Sequence, residues 1–428
     1  MLMNYVEKIK HFAATHPHID FYTDRAGERE VLELLNYTES AVLPYTLESP
    51  LLKADGTKVK TADEWLASRR GEIVELLKKE LYGEVPPMPD AVEYREVSRK
   101  KDALGGRAVR KETDIVLRMK DGRTHTIPVL SYAPAGAKGP VPVFINLNFK
   151  GNHTVTSEKD VRMTGLLNDD KSFLSDAQRS CHAERNSIEM VIARGYGCCT
   201  ASYNDIFPDH IAGWQDSIYA LFGDFEGYSR GHEKYSAIGA WAWGISRLLD
   251  YVEQCPEFDG SRAALHGHSR LGKTALWAGA LDERFKIVIA NDSGLAGAAL
   301  TKRRFGELYL YLVTAMPHWF VKKTADYIAN EENQPFDQHF LLSLIAPRKL
   351  AVASAENDLW SDPYGEYLGA YHAGEVYSLF GADVPKSPAR PAVGTCVTSD
   401  ISYHIRPGKH AQNEIDWLHY LDIADKFL

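Results

Sequence analysis

Apolar positions divide the chain into two stretches of different period. Over residues 1–90 they recur at helical spacing. Leu2, Val6, Ile9 and Ala13 share one side of a short amphipathic helix. A second helix is specified more fully: Thr61 and Glu64 have capping-box spacing, and Trp65, Ile73, Leu76, Leu77 and Leu81 lie broadly on one face. Gly83 and then Pro86-Pro87 supply its stop signal.

From about residue 91 the period shortens. AVEYREV, DIVLRM and HTIPVLSYA read as strands, the last two joined by the turn Lys120-Asp121-Gly122-Arg123, which predicts antiparallel hairpins. Arg99, Lys100, Lys101, Arg107, Arg110 and Lys111 crowd around Gly105-Gly106. A solvated hairpin tip is expected there, not a nucleic-acid patch. Beyond 140, the apolar runs VPVFINLNF, YGCCTASY, RAALHG, KIVIAN and KLAVASA alternate with the helical stretches SIEMVIARG, SAIGAWAWGISRLLDYVEQ, KTALWAGAL and EIDWLHYLDIADKFL. Such alternation predicts a mainly parallel sheet covered on both faces. The expected organisation is a helical N-terminal extension, 1–90, packed on an α/β catalytic domain, 91–428.

Composition narrows the function only by exclusion. The 428 residues carry 49 basic and 58 acidic side chains, a net charge of −9, which argues against a protein built to grip phosphate backbones. The five cysteines, Cys181, Cys198, Cys199, Cys255 and Cys396, include no CxxC pair, so neither a zinc site nor a disulfide framework is suggested. No run approaches the ~20 apolar residues of a membrane span. Glu7, Lys8 and Lys10 fall where a signal peptide needs an apolar core. As it stands the sequence reads as cytoplasmic, or as secreted or periplasmic if a leader has been removed.

The chemistry concentrates in Gly267-His268-Ser269-Arg270-Leu271-Gly272-Lys273-Thr274, between a strand and a helix. One reading is a nucleophile elbow presenting Ser269, with the second glycine of G-x-S-x-G arriving one residue late at Gly272. The other is a phosphate-cradling P-loop, G-x-x-x-x-G-K-[ST], with Asp292 after KIVIAN as a magnesium-binding acid. A serine nucleophile needs a base, and the base an orienting acid. Asp358 follows the strand KLAVASA and His410 lies before the last helix, so the order Ser, acid, His is present. Lys150-Gly151-Asn152-His153, after VPVFINLNF, suits part of an oxyanion hole.

Gly267 through Lys273 resembles the G-x-S-R-x-G-K signature of glucuronoyl esterases, carbohydrate esterases of the α/β-hydrolase superfamily that cut esters between lignin alcohols and xylan glucuronic acid. Members often carry Cys where His268 stands. The resemblance runs from roughly residue 50 to the C-terminus, through NFKGNH, AIGAWAWG, NDSG, RFGE, DLWSDP and GKH. It implies an α/β-hydrolase fold, enlarged here by insertions such as 150–185 and 300–345. It also implies Ser269 as nucleophile, His410 as base and Arg270 facing the oxyanion. Lys273 and Glu307 would hydrogen-bond sugar hydroxyls, and Trp360 would border the uronate pocket. The acid is Asp358, with Asp292 as the alternative or additional one. No metal or organic cofactor is implied. The implied substrate is a glucuronate ester, with an acetyl xylan esterase or other carbohydrate deacetylase as the alternative and nucleotide binding as a remote one. The site would be locally cationic through Arg270 and Lys273.

Plainer readings stand beside several of these residues. Glu307 could pair with Arg303 or Arg304, Lys273 could lie on a helix surface, and Trp360 could be core. His266 is expected to pack in its strand, Tyr235–Trp243 to open a core-facing helix, and His16-Pro17-His18-Ile19-Asp20 to be an exposed loop.

Overall fold

The computed structural model describes residues 2–20, 23–165, 175–223 and 232–428, with the backbone alone for residues 2–5. Part of the insertion expected at 150–185 and the Leu2 side chain therefore lie outside the described residues. Among the described residues, ten strands form one sheet: β1 Ala91–Asp102, β2 Ala108–Arg118, β3 Thr124–Pro134, β4 Val141–Asn148, β5 Gly197–Ser202, β6 Phe258–His268, β7 Ile287–Asn291, β8 Lys349–Ala355, β9 Cys396–Val397 and β10 Ile401–Arg406. Their order is β1-β2-β3-β5-β4-β6-β7-β8-β10-β9. The run from β5 to β10 is parallel, and β1–β3 join it antiparallel through β3 and β5. This is the mainly parallel sheet the alternating pattern predicts, in the α/β-hydrolase arrangement the resemblance implies.

Both faces of the central strands are buried because successive side chains point to opposite sides. Val143 and Ile145 of β4 enter one core together with Val288 of β7, the helices Ala237–Glu253, Arg270–Leu281 and Pro363–Ser378, and Trp65, Ile73 and Leu77 from the N-terminal segment. Phe144, Ile287 and Ile289 enter the other, beneath Ile188–Ala193 and Glu414–Phe427. The N-terminal segment carries helices at Leu2–Thr15 and Arg25–Leu32 and a helical run over 62–82. Thr61 Oγ1 caps that run by accepting from Glu64 N at 3.2 Å, and Gly83 ends it at φ 80°.

Two expectations are corrected. The basic hairpin is solvated only in part. Arg110 and Lys111 are buried, their charges matched by Glu158 and Asp160 and by Glu257 respectively. The strand β10 was not anticipated, because ISYHIR puts His404 and Arg406 where an apolar run would be looked for. Both are buried, and Asp416 of the last helix accepts from each at 2.8 Å, which offsets the cost of burying them. Tyr235–Trp243 opens a core helix, capped by Ser236 Oγ at 2.9 Å from Gly239 N. His266 packs edge-on against Trp417 with ring centroids 4.6 Å apart.

Candidate active site

The sheet's parallel strands end on one side, and β6, β7 and β8 each deliver a polar residue there. β6 ends at His268, and the next helix begins at Arg270, so a single residue makes the turn. Ser269 takes φ 58°, ψ −129°, a conformation unfavourable for a side chain with a Cβ and characteristic of a nucleophile elbow. The turn is tight enough to dictate both glycines. A Cβ on Gly267 would sit 1.9 Å from the Leu271 carbonyl oxygen, and one on Gly272 would sit 2.9 Å from Ser293 Cβ. The second glycine comes late because position 272 is the one facing the segment after β7. The P-loop pattern has a different account, since Lys273 is engaged by neighbouring protein groups. Its ammonium donates to Ser293 O (2.7 Å), Leu295 O (2.6 Å) and Glu307 Oε2 (2.7 Å), which uses all three of its protons.

A cavity of about 400 Å³ opens above this elbow. It is lined by Ser269, Arg270, Lys273, Asp292, Glu307, Tyr311, Met316, Trp319, Asp358, Trp360, Ser361 and His410. All eight site residues singled out from the sequence therefore border one space. The backbone donors of the turn Lys150–His153 are taken by neighbouring segments: Gly151 N donates to Asn148 Oδ1 at 2.8 Å and Asn152 N to Thr164 Oγ1 at 2.9 Å. Among the described residues that line the cavity, none comes from that turn.

On one side of the cavity, His410 Nδ1 lies 2.6 Å from Asp358 Oδ2; the carboxylate is 2 % exposed and the ring 38 %. Asp292 is close by, with a donor atom of each of Asp292, Asp358 and His410 within 4.8 Å of the others. Its contacts differ, however. Asp292 Oδ2 accepts from Arg406 Nη2 and from Ala411 N, both at 3.3 Å. Burial, with Glu366 and Asp358 nearby, raises its pKa well above the usual carboxylate range, against the pull of Arg406. A guanidinium on Asp292 also disfavours a metal cation at this cluster. Arg406 itself spans the His410 loop, donating to Pro407 O at 3.1 Å, to Lys409 O at 3.2 Å and to Ala411 O. Beneath the loop, the His268 ring lies 4.6 Å from that of His410 and holds Asn291 Oδ1 at 2.5 Å through Nδ1. Burial, then the His410 charge, keeps His268 well below its ordinary pKa, so it stays neutral.

Elsewhere on the lining, Arg270 Nη1 bonds Asp209 Oδ2, and its guanidinium carbon lies 4.8 Å above the Trp319 ring. Trp360 packs edge-on against Tyr311 at 4.5 Å. Gly306 fits close to the Trp360 loop, where a Cβ would come within 2.4 Å of the carbonyl oxygens of Leu359 and Trp360. Glu307 is thereby docked against the cavity. It pairs with Lys273, while Arg303 pairs with Asp362 and Arg304 with Glu331. The expectation of a locally cationic site is also corrected. Arg270 and Lys273 each carry a carboxylate partner, and Asp292 and Asp358 border the same space. Asp209, Trp319, Tyr311 and Arg406 were not found from the sequence. They lie in segments without a motif, and only the spacing of the folded chain brings them here.

A model of the fungal glucuronyl esterases matches residues 208–381. The chain is similar to a protein named as a carbohydrate esterase from an unknown prokaryotic organism, 40% identical over 397 residues and covering 91% of each. It is also similar to the solved structure of a glucuronoyl esterase from Solibacter usitatus, at 40% identity and TM-score 0.85, with 91% of this chain and 99% of that one covered. A third likeness is to a structure described as a promiscuous esterase from a marine bacterial metagenome, at 39% identity and TM-score 0.84, covering 92% of this chain and 100% of that one.

Proposed function

The chain belongs to the glucuronoyl esterase family of carbohydrate esterases, and from that premise we propose that it hydrolyses carboxylic esters of glucuronic acid, in glucuronoxylan or its oligosaccharides, through an acyl-enzyme on Ser269. The observation that carries the reading is the Asp358–His410 hydrogen bond of 2.6 Å in the same cavity as a serine on a strained elbow.

The chemistry follows from those groups. His410 takes the Ser269 hydroxyl proton as Oγ bonds the ester carbonyl carbon, and the carbonyl π electrons move onto oxygen. The Arg270 backbone N–H, first in its helix, and the Arg270 guanidinium are the donors we assign to that oxyanion. Collapse of the intermediate breaks the bond to the alcohol, which leaves with the proton from His410. Water, deprotonated by His410, then attacks the acyl carbon, Ser269 regains its proton, and glucuronate is released. Asp358 holds the Nδ1 proton and steadies the imidazolium. Asp292 is assigned as an additional acid, acting on the loop through Ala411 N. Glu307, set by Lys273, faces the sugar hydroxyls, and Trp360 borders the uronate.

The test compares alcohol release from benzyl glucuronate with acetate release from acetylated xylan, using the wild type and Ser269→Ala. Activity on the first that vanishes in Ser269→Ala is expected. Robust activity on acetylated xylan with none on the glucuronate would reassign the protein as a carbohydrate deacetylase. The relative described as promiscuous makes that arm worth running.

A further inference from the structure

The guanidinium that this reading sets against the oxyanion is anchored by a residue outside the cavity lining. Asp209 lies on the segment after β5, its side chain 3 % exposed. Four donors converge on its carboxylate: Arg270 Nη1, His318 Nε2 at 2.7 Å, Trp319 Nε1 at 2.6 Å and the Tyr203 hydroxyl at 3.0 Å. Burial opposes its charge, but Arg270 and His318, with the indole N–H, hold its carboxyl below the usual range. Trp319 contributes twice, its N–H to Asp209 and its ring face to the guanidinium.

This geometry restricts Arg270 in two ways. A guanidinium on a flexible stem gains a fixed position only from a partner that is itself fixed, and Asp209 is held by three groups besides Arg270. Its charge is also matched before substrate arrives, as that of Lys273 is by Glu307 at 2.7 Å. The ester substrate is neutral at its carbonyl, whereas the product carries a carboxylate. An unmatched arginine beside that carboxylate would grip it in a bidentate pair and slow its departure.

We propose that Asp209 is the positioning residue for Arg270, fixing the guanidinium against Trp319 and balancing its charge so that the cavity favours the neutral ester over the glucuronate it releases. The inference rests on the ester-hydrolase reading above, and the experiment separates the two. Wild-type inactivity on benzyl glucuronate would end the reading itself, and with it the inference.

With an active wild type, Asp209→Asn keeps the shape and removes the charge. Its kcat is expected to fall on the order of 10–100-fold with KM changed less than about twofold. Competitive inhibition by free glucuronate should strengthen roughly tenfold, the scale of one charge-assisted hydrogen bond. In an Arg270→Gln background the same change should cost less than about twofold, because Asp209 acts through Arg270. An equal loss of kcat in both backgrounds, or glucuronate inhibition that does not strengthen, would overturn the proposal. If Asp209→Asn does not fold, Trp319→Phe replaces it, keeping an aromatic face for the guanidinium and removing the N–H to Asp209 together with part of the indole ring. A kcat loss of roughly three- to tenfold at unchanged KM is expected, and an unchanged kcat would count against the proposal.

Discussion

The nucleophile and the base of this site are built in contrasting ways. Ser269 is positioned by its own neighbours in sequence: a strand before it, a helix after it, and two glycines whose missing Cβ atoms leave room for Leu271 O and Ser293. His410 sits in a loop with no such local device. Asp358 comes to it from the end of β8, Arg406 binds the carbonyls on either side of it, and Asp292 from the end of β7 takes the Ala411 N–H. A locally built element survives changes elsewhere as long as the turn can form. An element assembled from three strand ends depends on every one of them.

The largest expected effect sharpens this contrast at the acid. Asp358→Ala should lower kcat by about 10³–10⁴-fold, as loss of an orienting acid does in comparable triads, measured on benzyl glucuronate. Asp292→Asn, which leaves the His410 Nδ1 bond intact, should lower it by about tenfold or less. An equal or reversed order would make Asp292 the principal acid and break the distinction. Next in size is Arg406→Lys, which keeps the charge but cannot bridge Lys409 O and Ala411 O together. A kcat loss of roughly 10–100-fold is expected, with slower fluorophosphonate labelling of Ser269. Labelling at the wild-type rate would mean the loop holds its shape without the clasp.

On the nucleophile side the cost should appear in stability. Gly267→Ala drives a Cβ to 1.9 Å from a backbone oxygen, so a loss of about 3 kcal/mol is expected in denaturant unfolding. A stability within error of wild type would show that the elbow can relax. The smallest effect concerns Glu366, which is buried behind Asp292 and accepts from Ser293 and Gly294 backbone N–H groups at 2.6 and 3.0 Å. Burial pushes its pKa up to about 8. The folded state therefore holds a proton that the unfolded chain gives up above its ordinary value of 4.5. Its contribution is complete below pH 4.5 and is lost as pH rises through about 8. Glu366→Gln should flatten the fall of Tm across that window. An unchanged slope would assign the pH dependence to other groups.

Much of the fold was legible in the sequence because the central strands are continuous apolar runs with helices between them, the pattern a parallel sheet covered on both faces requires. The pattern failed at β10, where His404 and Arg406 are polar yet buried, since their partner Asp416 lies on another element. It failed again at Arg110, whose neutralising acids come from 158 and 160. In the site, the turn at Ser269 was visible because its requirements are local, but its residues also fit a P-loop, and only the folded turn and the Lys273 contacts separate the two.

What the sequence determined by itself was the period of the core, a glycine-flanked turn at Ser269 between a strand and a helix, and the chain order of serine, acid and histidine. Tertiary structure alone decided that Asp358 rather than Asp292 meets His410 Nδ1, that Lys273 is spent on Glu307, and that Asp209 and Trp319 hold Arg270. The physical reason is one of distance along the chain. Hydrogen bonds and burial act over a few ångströms in space, so partners 52 or 61 residues apart leave no periodic trace to read.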